Sequence, residues 1–329
     1  MITSSDLIRL PYTPDLTEGG IAHALRTLPY RYSRTGRSSF DRLRRTVAGA
    51  AVELAFRRYL GGKGIPFEVK EAPPFTDPER YDVLLGGQRC DIKSFLISRP
   101  DQIAGMQANP GAVLEAPALV PSDRHAAEGH GEHDLYLFAF VTGLVMSSPA
   151  DIKKTFGRGG PVYLLHIMPG SWVHPRNWSP LGPLALKSES NETLTVELAG
   201  QDETRGFLTR RVELPPRTRL VIDDPFFSLS SVHVDRPLGS RLGIHNLGRD
   251  ETCIVNGQEW GNIWIHGKEI LLAGYIARRD FSDRAIIIRP GSHVFQFDGT
   301  RASNLAVPVS ELRPLGELFE RVQAGIRRP

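Results

Sequence analysis

Apolar side chains recur at helical spacing from residue 40 to 60 with no intervening proline, and Gly61-Gly62 closes the run as a helix C-cap does. That pattern predicts a helix. Its centre, Val47-Ala48-Gly49-Ala50-Ala51-Val52-Glu53-Leu54-Ala55-Phe56, carries a single charge, Glu53, and a helix apolar on nearly all sides is one covered by protein. A short strand over 65–69 and a proline-rich connection follow. Then come two β-prone runs, 81–85 and 88–98, split by Gly86-Gly87, a strong hairpin signal.

Residues 1–38 mix Pro, Gly, Ser and Arg and predict an arm with one short helix over 21–28. Residues 99–133 hold few apolar runs and predict a long loop or lid with at most a short helix. Buried strands are expected over 135–141 and 162–168, with a short helix over 150–156. Beyond Pro169 the segments 193–198, 207–214, 219–222, 263–265 and 270–276 are short, β-prone and separated by turns. A helix over 315–326 ends the chain. The expected division is a basic arm over 1–39, an α/β core over 40–170 and a β-rich module over 171–329. Part of 256–290 pairs as strands that can complete the core sheet, which would make 170–250 an insertion. No fixed-period repeat marks a solenoid or propeller.

Composition narrows the class. The 329 residues suggest about two domains. No run approaches the ~18 apolar residues of a membrane span, the first residues lack a signal-peptide layout, and two cysteines fit a reducing compartment; a cytoplasmic protein is expected. The net charge of +3 conceals an asymmetry, because residues 1–63 carry eleven Lys and Arg against five Asp and Glu. Such a stretch, with Arg42, Arg44, Arg45 and Arg57, suits phosphate neutralisation; a solvated arginine-rich face is the alternative.

The hairpin carries the chemistry. With Gly86-Gly87 as a two-residue turn, Leu85 pairs with Gln88, Leu84 with Arg89, Val83 with Cys90, and Asp82 falls opposite Asp91. Alternation puts Lys93 on the same face as Asp91 and turns Val83, Leu85, Cys90 and Ile92 towards a core. Two opposed carboxylates repel, and a divalent cation between them removes the penalty. Lys93 can orient a water, help deprotonate it, or stabilise charge on a phosphoryl group. A carboxylate on the covered helix needs a partner, and for Glu53 the Asp82/Asp91/Lys93 cluster and Arg57, one turn on, are the candidates. An exposed hairpin with ordinary salt bridges is the alternative reading of the whole.

Together these residues resemble the PD-(D/E)XK nuclease superfamily, the fold of many restriction endonucleases: a helix bearing an acid, a three-stranded meander holding an Asp and a (D/E)-X-K tripeptide, then a helix and a further strand. Glu53, Asp82 and Asp91-Ile92-Lys93 match these positions over roughly residues 40–170. Tyr81 rather than proline precedes Asp82, and 99–133 does not read as the helix expected after the tripeptide. The resemblance implies a restriction endonuclease-like mixed sheet flanked by helices. It also implies that Glu53, Asp82, Asp91 and Lys93 are catalytic, and that Asp82, Asp91, the Ile92 carbonyl and Glu53 hold Mg²⁺, for which Mn²⁺ can substitute. The activity implied is metal-assisted hydrolysis of phosphodiester bonds, cleaving or nicking DNA in restriction or phage defence.

Elsewhere, Arg176 and Trp178 in a Trp-rich stretch, and Arg210 and Arg211 in the β-rich half, are candidates for contacting nucleic acid; a packed loop and an ordinary charged sheet are the alternatives. His125, His130 and His133 among acids could form a zinc site or simply a flexible polar loop. No GxxxxGKS loop is present, so ATP-driven translocation would need another subunit. DNA is the expected partner, with a homodimer or a defence-system subunit beside it and no membrane. A repair or RNA-directed nuclease, and a catalytically silent nucleic-acid-binding scaffold, are the competing functions.

Overall fold

The computed structural model describes residues 2–31, 39–69, 82–126 and 131–325. They form a mixed α/β chain with several sheets and helices beside them, grouped into two compact units. The first comprises residues 1–20, 48–144 and 266–329; the second comprises 21–47 and 145–265. The boundary expected near Pro169 therefore moves to residues 145 and 265, and the last part of the chain returns to the first unit. The reason lies in strand pairing: the strand His266–Ala277 runs antiparallel to β5 (Leu135–Leu144), from His266↔Leu144 to Ala277↔Leu135. No helix among the described residues is long and apolar enough to cross a membrane.

The first unit is built on a five-stranded mixed sheet. Its order is β1 (Ile8–Pro11), His266–Ala277, β5, β3 (Gln88–Ile97) and β2 (Val83–Leu85). β3 and β5 are parallel and paired without a break from Cys90↔Leu135 to Ile97↔Thr142. Parallel strands need a crossover connection, and residues 99–133 supply it. Here the expectation of a long loop fails. The segment contains α3 (Pro100–Ala108), a 3-10 helix Pro110–Glu115, β4 (Pro117–Pro121) and the short α4 (Ser122–His125). Pro100 sits at the start of α3, where a missing N–H costs nothing, and Ile103 and Met106 turn inward. β4 is the edge of a small sheet with Asn304–Pro308 and Ile286–Ile288, and its prolines fall at the strand ends, where they are tolerated. β5 is buried along nearly its whole length, as befits a central strand covered on both faces. Phe95, Phe138, Phe140 and Phe281 fill one core with Met106 and Leu119.

The expected arm is also more ordered than its composition suggested. β1 pairs with His266–Ala277, and α1 spans Pro14–Arg31. Leu16, Ile21, Ala24, Leu25 and Leu28 are buried at helix spacing, and that burial outweighs Gly19-Gly20 and Pro29. α2 spans Ser39–Gly62.

In the second unit all strand pairs are antiparallel. One sheet orders Arg219–Ile222, Leu184–Ser188, Leu242–Asn246 and Glu251–Val255. The other orders Gly261–Asn262, Leu164–Ile167, Ser228–Val234, Leu194–Gln201 and Phe207–Leu214. Leu186, Ile244 and Val255 from the first share one apolar core with Leu164, Leu198 and Val232 from the second, together with Ile152 of α5 (Pro149–Gly157).

Candidate functional site

The hairpin forms in the expected register: Leu85↔Gln88, Leu84↔Arg89 and Val83↔Cys90. Gly86 and Gly87 both have positive φ, 55° and 80°, the backbone that a type I′ turn demands and glycine supplies. A bridge between Glu68 and Leu84 adds a third extended segment beside β2. Tyr81 lies outside the described residues.

Past Val83 the ladder ends, and Asp82 departs from simple opposition to Asp91. Its backbone N–H donates to the Cys90 carbonyl at 3.0 Å. Its carboxylate accepts from the Ile92 N–H at 2.7 Å, a contact of the Ile92 amide additional to the carbonyl role expected of it. Asp91 is ion-paired with Lys93, and Lys93 Nζ lies 5.4 Å from the centre of the Tyr136 ring. Arg57 serves two acids: Nη2 donates to the Asp82 carbonyl oxygen at 2.9 Å and lies 3.6 Å from Glu53 Oε2. Arg57 Nε is buried and has no hydrogen-bond partner among the described residues. The arginine expected to touch nucleic acid is thus held inside the acidic cluster.

Electrostatics tie these groups together. Burial first, then the negative charges of Glu53 and Asp91, push the Asp82 carboxyl well above its ordinary 3.8; the Ile92 N–H and the Lys93 ammonium act in the opposite direction. The site is therefore short of positive charge. Alternation along β3 places Asp91 and Lys93 on the face of Phe95, and Ile92 and Ser94 on the other. Gly49 of α2 comes close to that second face, where a Cβ on it would stand 3.4 Å from Ser94 Oγ. Glu53, one turn further along α2, acts on the cluster through Asp82 at the end of the strand. Carboxylates and a peptide carbonyl are hard oxygen donors of the kind Mg²⁺ takes, so the donor chemistry fits. Among the described residues, however, no three His, Cys, Asp or Glu side chains are arranged to hold an ion directly. Each carboxylate is turned instead towards a nitrogen, of Ile92, Lys93 or Arg57.

Several neighbours had no local signal in the sequence. Tyr136 OH is 3.0 Å from His125 Nδ1, and His125 Nε2 is 2.9 Å from Ser282 Oγ. Burial pushes the Tyr136 phenol up to about 12. Tyr136 meets Lys93 only because β3 and β5 pair in parallel with Asp91 beside Tyr136, a register that no nearby residues announce. His125, expected in a loop or zinc site, is committed to this chain of contacts. His133 is exposed, and His130 lies outside the described residues.

The other nucleic-acid candidates belong to the second unit. Arg44 is buried, donating from Nε to the Asn262 carbonyl at 2.9 Å and paired with Asp41, so it braces the fold and is not available to a phosphate. Arg42 and Arg45 are exposed on α2. Trp178 Nε1 donates to the Glu203 carbonyl at 2.7 Å, and Arg205 lies 4.2 Å over its ring. Arg176 and Arg211 are exposed, and Arg210 is 3.3 Å from Asp224. Compared with known proteins, the chain matches no family model, no curated protein and no solved structure.

Proposed function

We propose that the first unit is a metal-dependent phosphodiesterase of the PD-(D/E)XK kind, acting on DNA. The observation that carries this reading is Asp82, a buried carboxyl whose ionised form is disfavoured first by burial and then by the negative charges of Glu53 and Asp91, until positive charge arrives. The order of elements supports it too. An acid-bearing helix precedes a meander of the bridge at Glu68, β2 and β3, and α3 then leads to β5, parallel to β3. A restriction endonuclease-like sheet calls for this sequence of elements.

Asp82 and Asp91 would hold Mg²⁺, with the Ile92 carbonyl and Glu53 beside them; bound there, it supplies a more acidic water and neutralises charge on the phosphate. Lys93 Nζ sits between Asp91 and the Tyr136 ring, from where it would donate to a water or a phosphoryl oxygen. Arg57 holds the Asp82 backbone and keeps Glu53 oriented. Phosphate contacts carry no base specificity, so sequence selection falls to other side chains, and DNA is the partner assigned. Restriction or phage defence is the setting proposed, and two-strand cleavage favours a homodimer.

The test is a cleavage assay on modified and unmodified DNA with Mg²⁺ or Mn²⁺. Asp91→Ala and Lys93→Ala should each lower cleavage at least about a hundredfold while DNA binding persists; unchanged cleavage in both variants would remove the site assignment. The ion pairs of Lys93 with Asp91 and Arg57 with Glu53 favour a second reading, a catalytically silent nucleic-acid-binding scaffold. Absence of cleavage on DNA and RNA with either metal is its expected result.

A further inference from the structure

The second unit holds a cavity of about 370 Å³ bordered by α5 and by loops at 236–239 and 257–260. Ile152, Phe156, Leu238 and Trp260 give it apolar, partly aromatic walls. Gly257 lets the two loops meet, since a Cβ there would stand 2.6 Å from the Leu238 carbonyl oxygen. Three charged residues, Lys153, Glu192 and Arg236, line it as well. Arg236 Nη1 donates to Glu192 at 2.7 Å and Nη2 to Asp235 at 3.2 Å, setting an acceptor and donors side by side at the lining. With Lys154 and Arg158 on the same helix end, Lys153 is exposed, and none of these three cations has an ion-pair partner among the described residues.

These features constrain the ligand. Apolar walls with an indole suit a flat ring, and a cavity of this size is in the range of small-molecule sites. A carboxylate beside a guanidinium matches the mixed acceptors and donors on a heterocycle's edge. Unpaired cations on α5 have no use for a neutral hydrocarbon, and a bare anion would have no use for the apolar walls. A ring joined to a phosphate uses both. We infer that this cavity binds a nucleotide, its base against Trp260 and Phe156 and its phosphate towards Lys153. The nucleotide can be free or part of a strand whose base has left the stack; only the strand source rests on the nucleic-acid reading of the first unit.

The test uses two probes in EDTA, so that cleavage plays no part. One is the set of four deoxynucleoside 5′-monophosphates, followed by calorimetry and tryptophan fluorescence. The other is a duplex carrying 2-aminopurine, whose emission rises when the base unstacks. Gly239 lines the cavity, with open space where its Cβ would point and no left-handed backbone to strain, so Gly239→Phe should fill the cavity and abolish binding. Lys153→Glu, on the exposed face, should weaken binding by about tenfold or more, the worth of one charge-assisted contact. Both variants should melt as the wild type does. A 2-aminopurine signal lost in Gly239→Phe assigns the strand source, and mononucleotide binding without that signal assigns the free nucleotide. No binding of either probe, or binding undiminished in both variants, overturns the proposal. Failure of the nuclease reading is distinct: cleavage would then be absent while mononucleotides still bound.

Discussion

Asp82 is the residue at which stability and the proposed chemistry conflict. Its folded pKa lies above the ordinary 3.8, so the folded chain keeps the proton in a range where the unfolded chain has lost it. By linkage, its contribution is most favourable below about 3.8 and is lost as pH rises through the raised folded value. The penalty grows until the pH exceeds that raised value. Asp82→Asn keeps an acceptor for the Ile92 N–H and removes the charge, so its Tm at pH 7 should exceed wild type by a few degrees while cleavage falls. Mg²⁺ should raise the wild-type Tm and leave Asp82→Asn nearly unmoved; calorimetry at both conditions checks this. His233 shows the opposite sign. Burial lowers its pKa to about 4, while Nδ1 sits 2.8 Å from the Leu164 carbonyl oxygen and the ring stacks on Tyr163 at 3.7 Å. The unfolded chain takes up a proton below about 6.5 that the folded chain refuses, so stability drains away as pH falls from 6.5 through 4. In His233→Phe the fall of Tm over that window should be shallower.

At the scale of elements, the hairpin from Val83 to Cys90 was legible to the residue because its information is local, with two glycines, alternating apolar positions and no competing register, whereas the departure of Asp82 from the ladder was not. The helix over 40–60 was legible for a similar reason. α3 and β4 were not, since their few buried side chains, Ile103, Met106, Leu119 and Val120, become significant only against β5 and the strand Asn304–Pro308. α1 was half legible, because its glycines and Pro29 argued against a helix that tertiary burial sustains. The candidate site divides likewise: the acids and Lys93 follow from spacing, whereas Tyr136, His125 and Ser282 arrive from distant strands and helices. One close approach should be unforgiving. At Gly274, in the strand His266–Ala277, a Cβ would stand 2.8 Å from the Arg313 carbonyl oxygen and 3.0 Å from Leu312 Cβ, where Tyr275 and Arg313 exchange backbone hydrogen bonds at 3.0 and 2.9 Å. Gly274→Val should cost about 1–3 kcal/mol, read from urea midpoints with unchanged slope.

For the whole molecule, the pairing of Leu144 with His266 means that residues 145–265 leave the first unit's sheet and rejoin it at the same rung. A detour of that length adds little loop-closure cost, which grows only logarithmically, but it imposes an order in time. During synthesis the parallel pair β3 and β5 emerges long before the strand that flanks it, and at roughly 5–20 residues per second the sheet waits on the order of ten seconds for residues 266–277. The antiparallel strands of 145–265 are complete first, and all four tryptophans lie among them. On chains stalled during synthesis with residues 1–265 exposed, tryptophan emission should therefore already be that of the folded protein; unfolded-like emission at that length would contradict this order. Until that strand arrives, the edge of β5 is open to any passing extended segment, so the nascent chain is at its most aggregation-prone with its candidate acids already made and their sheet still unsealed.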